Sequence, residues 1–165
     1  MLKKTTAPIA TAVLFALAGS AQAYTNSTTA QFTVGATYQS NCLATATNIN
    51  FGNFNGTADL TSNGTISVNC TNGTPFSVGL STGSGTFATR TMKSGSNVLN
   101  YNLYLDNQFT TIWDNASNLN SGTGAGMGSG SVQTYTVFGK LPYAGSNQSA
   151  PPGSYSDTIT ATVSY

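Results

Sequence analysis

The last segment of the chain alternates between apolar and polar positions. Ser156, Thr158, Thr160, Thr162 and Ser164 point to one side, while the other side carries Tyr155, Ile159, Ala161, Val163 and Tyr165, with Asp157 as a polar exception. A period of two, built from β-branched and aromatic residues, is typical of a half-buried β-strand. The sequence therefore predicts a closing strand over residues 155–165 that ends on a core-facing tyrosine, and whose apolar face needs neighbours.

A second alternating segment lies near the N-terminus. Its apolar positions are Ala30, Phe32, Val34, Ala36 and Tyr38, and its polar positions are Gln31, Thr33, Gly35 and Thr37. The same argument predicts a strand over residues 30–38. From the residues alone, this strand and the closing strand could equally well pair within one chain or belong to different molecules.

Between these two segments the pattern predicts further short strands. Residues 43–51 favour one or two strands with a bend at Gly52, and strands are also indicated over residues 86–92, 98–106 and 132–138. The Asn72-Gly73 pair predicts a hairpin joining residues 65–70 to residues 76–80. The Gly/Ser/Asn-rich stretch 115–131 is predicted as a long mobile loop. Eight or nine short strands without helical periodicity predict an all-β immunoglobulin-like sandwich, with a barrel as the less favoured alternative.

The first 23 residues have the pattern of a secretory signal peptide. Lys3 and Lys4 precede a short apolar run, Ala7–Ala18, and Ala21-Gln22-Ala23 provides a small-residue cleavage site before Tyr24. The apolar run is shorter than the roughly 20 residues of a membrane span, and a buried N-terminal helix is the minor alternative. Residues 24–165 then form one domain, in which residues 24–39 are an N-terminal extension and residues 40–165 the folded part.

Charge excludes some classes of partner. Removal of Lys3 and Lys4 changes the formal net charge from +1 to −1. So few charges leave no basic patch for nucleic acid and no polybasic patch for a membrane surface. The surface must consist mainly of Ser, Thr, Asn and Gly, and low charge does little to prevent self-association.

The two cysteines, Cys42 and Cys70, predict one disulfide, because an even pair in an exported protein is usually oxidised. The bond would close a loop of about 28 residues, a constraint worth roughly 3–4 kcal/mol. The chain contains no histidine and no glutamate, so an ordinary catalytic triad and a metal site are both disfavoured. No cofactor is expected.

Three weaker chemical alternatives remain. A Ser–Lys dyad would use Lys93 or Lys140, and a carboxylate pair would use Asp106 and Asp114. A sugar-stacking platform would use Tyr101, Tyr104 and Trp113. Core packing is the favoured role for Tyr101 and Trp113, and a solvated strand end is the favoured position for Asp106. The sequence therefore favours a protein that is not an enzyme.

Several segments together resemble the spore coat protein U domain, a family that includes the Csu-type pilins of archaic chaperone–usher pathways. The resemblance covers essentially all of the chain after the signal peptide. It rests on Cys42 with Phe51-Gly52, Arg90-Thr-Met92, Leu99-Asn-Tyr-Asn-Leu-Tyr104, Phe138-Gly-Lys-Leu-Pro142 and Gly153-Ser-Tyr-Ser-Asp-Thr-Ile-Thr-Ala-Thr-Val-Ser-Tyr165.

The resemblance implies an immunoglobulin-like sandwich that lacks its final strand. A periplasmic chaperone, and then the N-terminal strand of another pilin subunit, would fill the gap by strand addition. Residues 30–38 would be the donor, with the face Ala30, Phe32, Val34, Ala36 and Tyr38. The acceptor groove would lie beside Ile159, Ala161, Val163 and Tyr165, and the chain would stop there because the missing strand comes from another molecule.

The function implied is a structural subunit of a surface pilus, delivered through the periplasm and an outer-membrane usher to the cell surface and supporting adhesion to host or abiotic surfaces and biofilm formation. A tip adhesin or carbohydrate-binding module is one alternative. A non-polymerising secreted coat or matrix protein is another, and a hydrolase is the remote one.

Overall fold

The computed structural model describes residues 26–115, 122–128 and 130–165. The expected signal peptide, residues 1–23, and its cleavage site between Ala23 and Tyr24 lie outside these residues. Contacts divide the chain into two units, Met1–Thr37 and Tyr38–Tyr165, and every strand of the described residues belongs to the second. In the described part of the chain, no helix has the length and apolar character needed to cross a membrane.

The second unit is built from strands. They are β1 (Cys42–Ala46), β2 (Leu60–Cys70), β3 (Pro75–Leu80), β4 (Arg90–Ser94), β5 (Asn97–Tyr104), β6 (Gly122–Ala125), β7 (Gln133–Leu141) and β8 (Ala161–Ser164), with one 3₁₀ helix at Gly145–Ser149. One sheet has the order β1-β2-β7-β5-β4 and the other the order β6-β3-β8. Every ladder between these strands is antiparallel, which confirms the all-β prediction.

The core lies between the two sheets. Alternate residues of β2, β3, β5 and β7 point inward, as the period of two requires. The buried apolar side chains are Ile66, Val68 and Cys70 of β2, Phe76, Val78 and Leu80 of β3, Leu99, Tyr101 and Leu103 of β5, Val137 and Leu141 of β7, and Trp113. The Trp113 indole N–H donates to the carbonyl oxygen of Val78 at 2.8 Å, which satisfies its polar atom inside the core.

The predicted hairpin across Asn72-Gly73 is wrong. The turn exists, since Gly73 has a φ of 75° and the Thr74 N–H donates to the Thr71 carbonyl at 3.1 Å. However, β2 pairs with β1 and β7, whereas β3 pairs with β6 and β8. The two arms pass from one sheet to the other, so that their apolar faces meet across the core instead of sharing a ladder.

Other boundaries also differ from the sequence prediction. The strand expected over residues 86–92 begins only at Arg90, and β7 continues past Gly139 to Leu141. The stretch 115–131 is not entirely loop, because β6 at Gly122–Ala125 pairs with β3; residues 116–121 and 129 lie outside the described part. Of the closing strand predicted over residues 155–165, only β8 forms a continuous ladder with a neighbouring strand.

The N-terminal strand expected over residues 30–38 is not a strand in the structure, which assigns none over residues 26–41. The side chains of Phe32, Val34 and Tyr38 are 87%, 84% and 82% exposed. Residues 26–41 have no place in either sheet, and a strand without neighbours has no ladder hydrogen bonds to define it.

One buried arginine ties β4 to two loops. Arg90 is fully buried, and its guanidinium donates to the carbonyl oxygens of Ser81 at 3.0 Å and Trp113 at 2.7 Å and to Oδ1 of Asn102 at 2.7 Å. Burial lowers the pKa of Arg90. Each of the three guanidinium nitrogens therefore has an acceptor, which offsets part of the cost of burying the charge.

A buried asparagine continues the ladder of β5 where β7 ends. The Asn147 side chain accepts from the Asn100 backbone N–H at 2.7 Å and donates to the carbonyl oxygens of Asn100 and Pro142, both at 2.8 Å. Asn147 is 2% exposed. Its amide therefore takes the place of a neighbouring peptide group, because it offers the same donor and acceptor.

Candidate functional site: an open groove beside the final strand

An elongated groove opens into the core between residues 46–51 on one side and residues 155–161 on the other. Its volume is about 500 Å³. A second cavity of about 620 Å³ adjoins it and shares Ile49, Phe51, Met92 and Tyr155 with it. The floor of the groove is mainly apolar and is formed by Ile66, Leu80, Met92, Tyr101, Leu103 and Val137. Concave apolar surfaces of this kind are suited to binding apolar side chains.

One wall of the groove is the final extended segment. The backbone groups of Ser156 and Lys93 exchange two hydrogen bonds of 2.9 and 3.1 Å beside β4. Farther on, β8 pairs with β3 from Ala161↔Leu80 to Ser164↔Ser77. The segment therefore crosses from the edge of the first sheet to the edge of the second. Along it the predicted alternation is confirmed, since Tyr155, Asp157, Ile159, Ala161 and Val163 are half-buried and the residues between them are exposed.

Asp157, the polar exception in the pattern, has a structural explanation. Its Oδ2 accepts a 2.7 Å hydrogen bond from the Tyr101 hydroxyl, and its Oδ1 accepts a 3.0 Å bond from the backbone N–H of Ser84. Gly83 makes this approach possible, because a Cβ atom there would lie 2.0 Å from Oδ2 of Asp157 and 2.8 Å from Cδ1 of Ile159. Burial raises the pKa of Tyr101, and the hydrogen bond to Asp157 raises it further.

The other wall follows β1 and was not foreseen as part of the site. Ile49 and Phe51 pack over two glycines of the first sheet. A Cβ atom at Gly64 would lie 2.7 Å from Cγ1 of Ile49, and one at Gly139 would lie 3.0 Å from Cζ of Phe51. The Phe51 ring meets Tyr101 edge to face with centroids 6.1 Å apart. The signal in the sequence was the apolar pair Ile49 and Phe51 just before the bend at Gly52, whose φ is 73°.

The backbone of the final segment has one free edge. β8 is the last strand of its sheet in the described residues. The backbone groups of Ser156 and Thr160 bond toward Lys93 and Ser81, and successive residues of a strand direct these groups to opposite edges. The N–H and C=O groups of Asp157, Ile159 and Ala161 therefore face the groove, where another strand can bond to them.

The expected groove residues are brought together only in part. Ile159 and Ala161 line the groove, and Val163 is half-buried in β8. The prediction of a core-facing Tyr165 is wrong, because its side chain is 60% exposed. The reason is that the ladder with β3 ends at Ser164, so nothing holds the next residue against the core.

The expected disulfide is confirmed. Cys42 and Cys70 are bonded, with Cα atoms 4.1 Å apart, and they are directly opposite partners in the β1–β2 ladder. The bond fixes the first residue of the edge strand β1 to the last residue of β2. It thereby anchors the segment that continues into the Ile49–Phe51 wall.

The weaker chemical alternatives find little support in the geometry. Tyr101 and Trp113 are buried in the core, as the sequence favoured. Lys140 forms a 2.8 Å ion pair with Asp59. Desolvation raises the pKa of Asp106, but the N–H groups of Thr110 and Thr111 outweigh it and hold this pKa below its ordinary value, so Asp106 organises its loop. Among the residues that the structure describes, no cluster of three His, Cys, Asp or Glu side chains could hold a metal ion.

Comparisons with known proteins place this fold and groove in context. No curated protein matches the sequence. Among solved structures, the chain is similar to one from the crystal structure of the CsuC–CsuE chaperone–tip adhesion subunit pre-assembly complex from archaic chaperone–usher Csu pili of Acinetobacter baumannii. The identity is 25% and the TM-score 0.54, and the match covers 77% of this chain and 40% of that chain. The family model of the Spore Coat Protein U domain matches residues 28–162, and the chain therefore belongs to the spore coat protein U domain family.

Proposed function

We propose that this protein is a structural subunit of a surface pilus and that subunits are joined by strand exchange. Residues 30–38 of one copy are the donor segment, and the groove between residues 46–51 and 155–161 of the next copy is the acceptor. The single observation on which this rests is the apolar groove itself, which borders the free backbone edge of the final segment. An added strand there would bury its apolar side chains and extend the ladder.

The donor segment has the complementary character. Its apolar face carries Phe32, Val34 and Tyr38, all more than 80% exposed. Each of these side chains would contribute on the order of 1.5–3 kcal/mol on burial in the groove, before the cost of ordering the segment. Ladder hydrogen bonds to Asp157, Ile159 and Ala161 would add directionality. A series of such joints would give a strong filament without covalent bonds.

The comparisons support the same function. The family is that of the spore coat protein U domain, and the similar solved chain comes from a complex of a chaperone with a pilus subunit. By this analogy a periplasmic chaperone covers the groove after export, an outer-membrane usher exchanges the chaperone for the next donor segment, and the pilus at the cell surface supports adhesion and biofilm formation. No enzymatic step is part of this function.

Deletion of residues 30–38 tests this function. The deletion leaves the described second unit intact except for Tyr38, so the subunit should fold and accumulate in the periplasm while surface fibres disappear. Deletion of residues 26–29, which precede the donor segment, is the control and should preserve fibres. Fibres of normal abundance from the variant without residues 30–38 would show that the donor assignment is wrong.

A tip adhesin or carbohydrate-binding module is the second candidate, favoured by one observation: the similar solved structure is described as containing a tip adhesion subunit. Glycan-array binding by the purified subunit would favour this candidate. Fibres composed mainly of this chain would favour the structural role.

A further inference from the structure

The groove and the donor segment differ in size from position to position, and these differences define how the two can fit. Along the final segment the groove-facing residues are Tyr155, Asp157, Ile159, Ala161 and Val163. The smallest of them is Ala161, and the polar one is Asp157. On the donor face Phe32 is the largest residue in the centre, and Ala30 and Ala36 are small. A good fit must place a large donor residue beside Ala161 and a small one beside Asp157.

Asp157 cannot move aside for a bulky neighbour. Its two carboxylate oxygens are held by the Tyr101 hydroxyl at 2.7 Å and the Ser84 N–H at 3.0 Å, and Gly83 lies against it from behind. A large apolar residue opposite Asp157 would desolvate the carboxylate without offering it a further donor. Only a small residue leaves the two existing hydrogen bonds undisturbed.

Resting on the function proposed above, we propose that a second copy of this chain enters the groove antiparallel to the final segment, with Ala36 beside Asp157, Val34 beside Ile159 and Phe32 beside Ala161. Asp157 is the residue that sets this register. Continuing the same spacing places Tyr38 beside Tyr155 and Ala30 beside Val163. A small residue then meets a larger one at Asp157, Ala161 and Val163.

The other arrangements fail on size. Sliding the donor by two residues in one direction puts Val34 beside Asp157, and sliding it in the other puts Tyr38 there. Sliding it by one residue turns its polar face into the core. In a parallel arrangement, the register with Ala30 beside Asp157 puts Val34, a smaller residue than Phe32, beside Ala161 and sets Phe32 against the large Ile159. The antiparallel direction also agrees with every ladder between the protein's own strands.

The backbone supports the same alignment. Asp157, Ile159 and Ala161 direct their N–H and C=O groups toward the groove, because those of Ser156 and Thr160 point the other way. A donor residue that exchanges both hydrogen bonds with one of them lies directly opposite, with its side chain on the same face of the ladder. The proposed register gives this role to Phe32, Val34 and Ala36, which are the residues with side chains that must point inward.

Paired cysteines in the full-length protein test the register, because directly opposite residues of a hydrogen-bonded pair have Cα atoms about 5.5 Å apart, within the range of a disulfide. The matching variants are V34C/I159C and F32C/A161C. The variants F32C/I159C and A36C/I159C report a slip by two residues, and A36C/A161C reports a parallel strand. Each variant is produced in cells, and surface-sheared material is oxidised and run on non-reducing gels with and without boiling.

We expect the two matching variants to shift from a ladder that boiling dissociates to one that survives boiling and is lost on reduction. A covalent ladder from a slipped or parallel variant overturns the register but leaves the pilus function standing. The same holds if none of the five variants gives a covalent ladder while the unboiled ladder persists. A covalently closed monomer instead of a ladder shows that the donor segment occupies the groove of its own chain. That result overturns the proposal that a second copy is the partner. Absence of the unboiled ladder from the unaltered protein overturns both proposals.

Discussion

The hydroxyl of Tyr101 donates a 2.7 Å hydrogen bond to Oδ2 of Asp157, which links the middle of β5 to the final extended segment. Tyr101 is only 5% exposed, so this bond joins the floor of the groove to its wall inside the sandwich. Near Asp157, the wall is also held by the hydrogen bond from the Ser84 N–H to Asp157 and by the backbone bridge between Ser156 and Lys93. The shape of the groove therefore depends on this pair.

Replacement of Tyr101 by Phe should lower the free energy of unfolding at pH 7 by about 1.5–3 kcal/mol, because a hydrogen bond to a carboxylate is lost. The same variant should also change how the free energy of unfolding depends on pH in the alkaline range. Burial raises the pKa of Tyr101 in the folded state above the ordinary value of about 10. The stability that the folded state gains by keeping Tyr101 protonated is complete below about pH 10. It is lost as the pH rises further, because only the unfolded chain then releases the proton.

Urea unfolding at a series of pH values from neutral to above about pH 10 measures both effects. The unaltered protein should lose stability above about pH 10, and Y101F should lose less over the same interval. Tyr135, whose pKa is also raised by burial, leaves part of the slope in the variant. Equal slopes in the two proteins would show that Tyr101 is not protected from ionisation by the fold.

Replacement of Asn147 by Ala should destabilise the protein by about 1–3 kcal/mol, because it leaves the partly buried N–H and C=O groups of Asn100 without their partner. The neighbouring exposed residue provides the control, since Gln148→Ala should change stability by less than about 0.5 kcal/mol. Thermal unfolding of both variants makes the comparison. Similar midpoints for N147A and Q148A would mean that water replaces the amide at the end of the β5 ladder.

Replacement of both Cys42 and Cys70 by serine should lower the free energy of unfolding by roughly 3–4 kcal/mol, because the unfolded chain regains the freedom of a loop of 28 residues. The folding yield in the periplasm should fall with it. Urea titration of the purified variant, with the reduced unaltered protein as a second reference, measures the change. An undiminished yield and an unchanged midpoint would show that the β1–β2 ladder holds without the bond.

Replacement of Val34 by Asp should abolish fibres without harming the subunit, because Val34 is 84% exposed before assembly and faces the groove only in the proposed joint. An unpaired charge in an apolar groove costs several kcal/mol at every joint. Thr33→Asp adds the same charge to the opposite face of the donor and should still assemble. Electron microscopy of surface fibres separates the two variants, and equal loss in both would mean that charge, not burial, is responsible.

Much of the fold could be predicted from the period of two. The alternation at residues 155–163 is seen in the half-buried wall of the groove, and the apolar positions of residues 66–70, 76–80 and 99–103 are the core. What failed was the assignment of partners. Asn72-Gly73 does form a local turn, but long-range packing decides that β2 and β3 enter different sheets.

The candidate site was harder to predict than the fold. The site is a groove with room for a further strand, and the residues that border it are distant from one another in the sequence. Ile159 and Ala161 were found from their own pattern. Ile49 and Phe51 were not, since their role depends on Gly64 and Gly139, which leave room above the first sheet. The role of Asp157 required its contacts with Tyr101 and Ser84. A strand pattern at residues 30–38 could be recognised, but a ladder needs a partner.

The most direct test of strand-linked assembly is electrophoresis of surface-sheared material from cells producing the unaltered protein, loaded with and without boiling. If the subunits are joined by inserted strands, unboiled samples will give a ladder of multiples of one subunit. Boiling will collapse that ladder to a single band without any reducing agent. A single monomer band in unboiled samples, or a ladder that only reduction dissolves, would contradict non-covalent strand exchange.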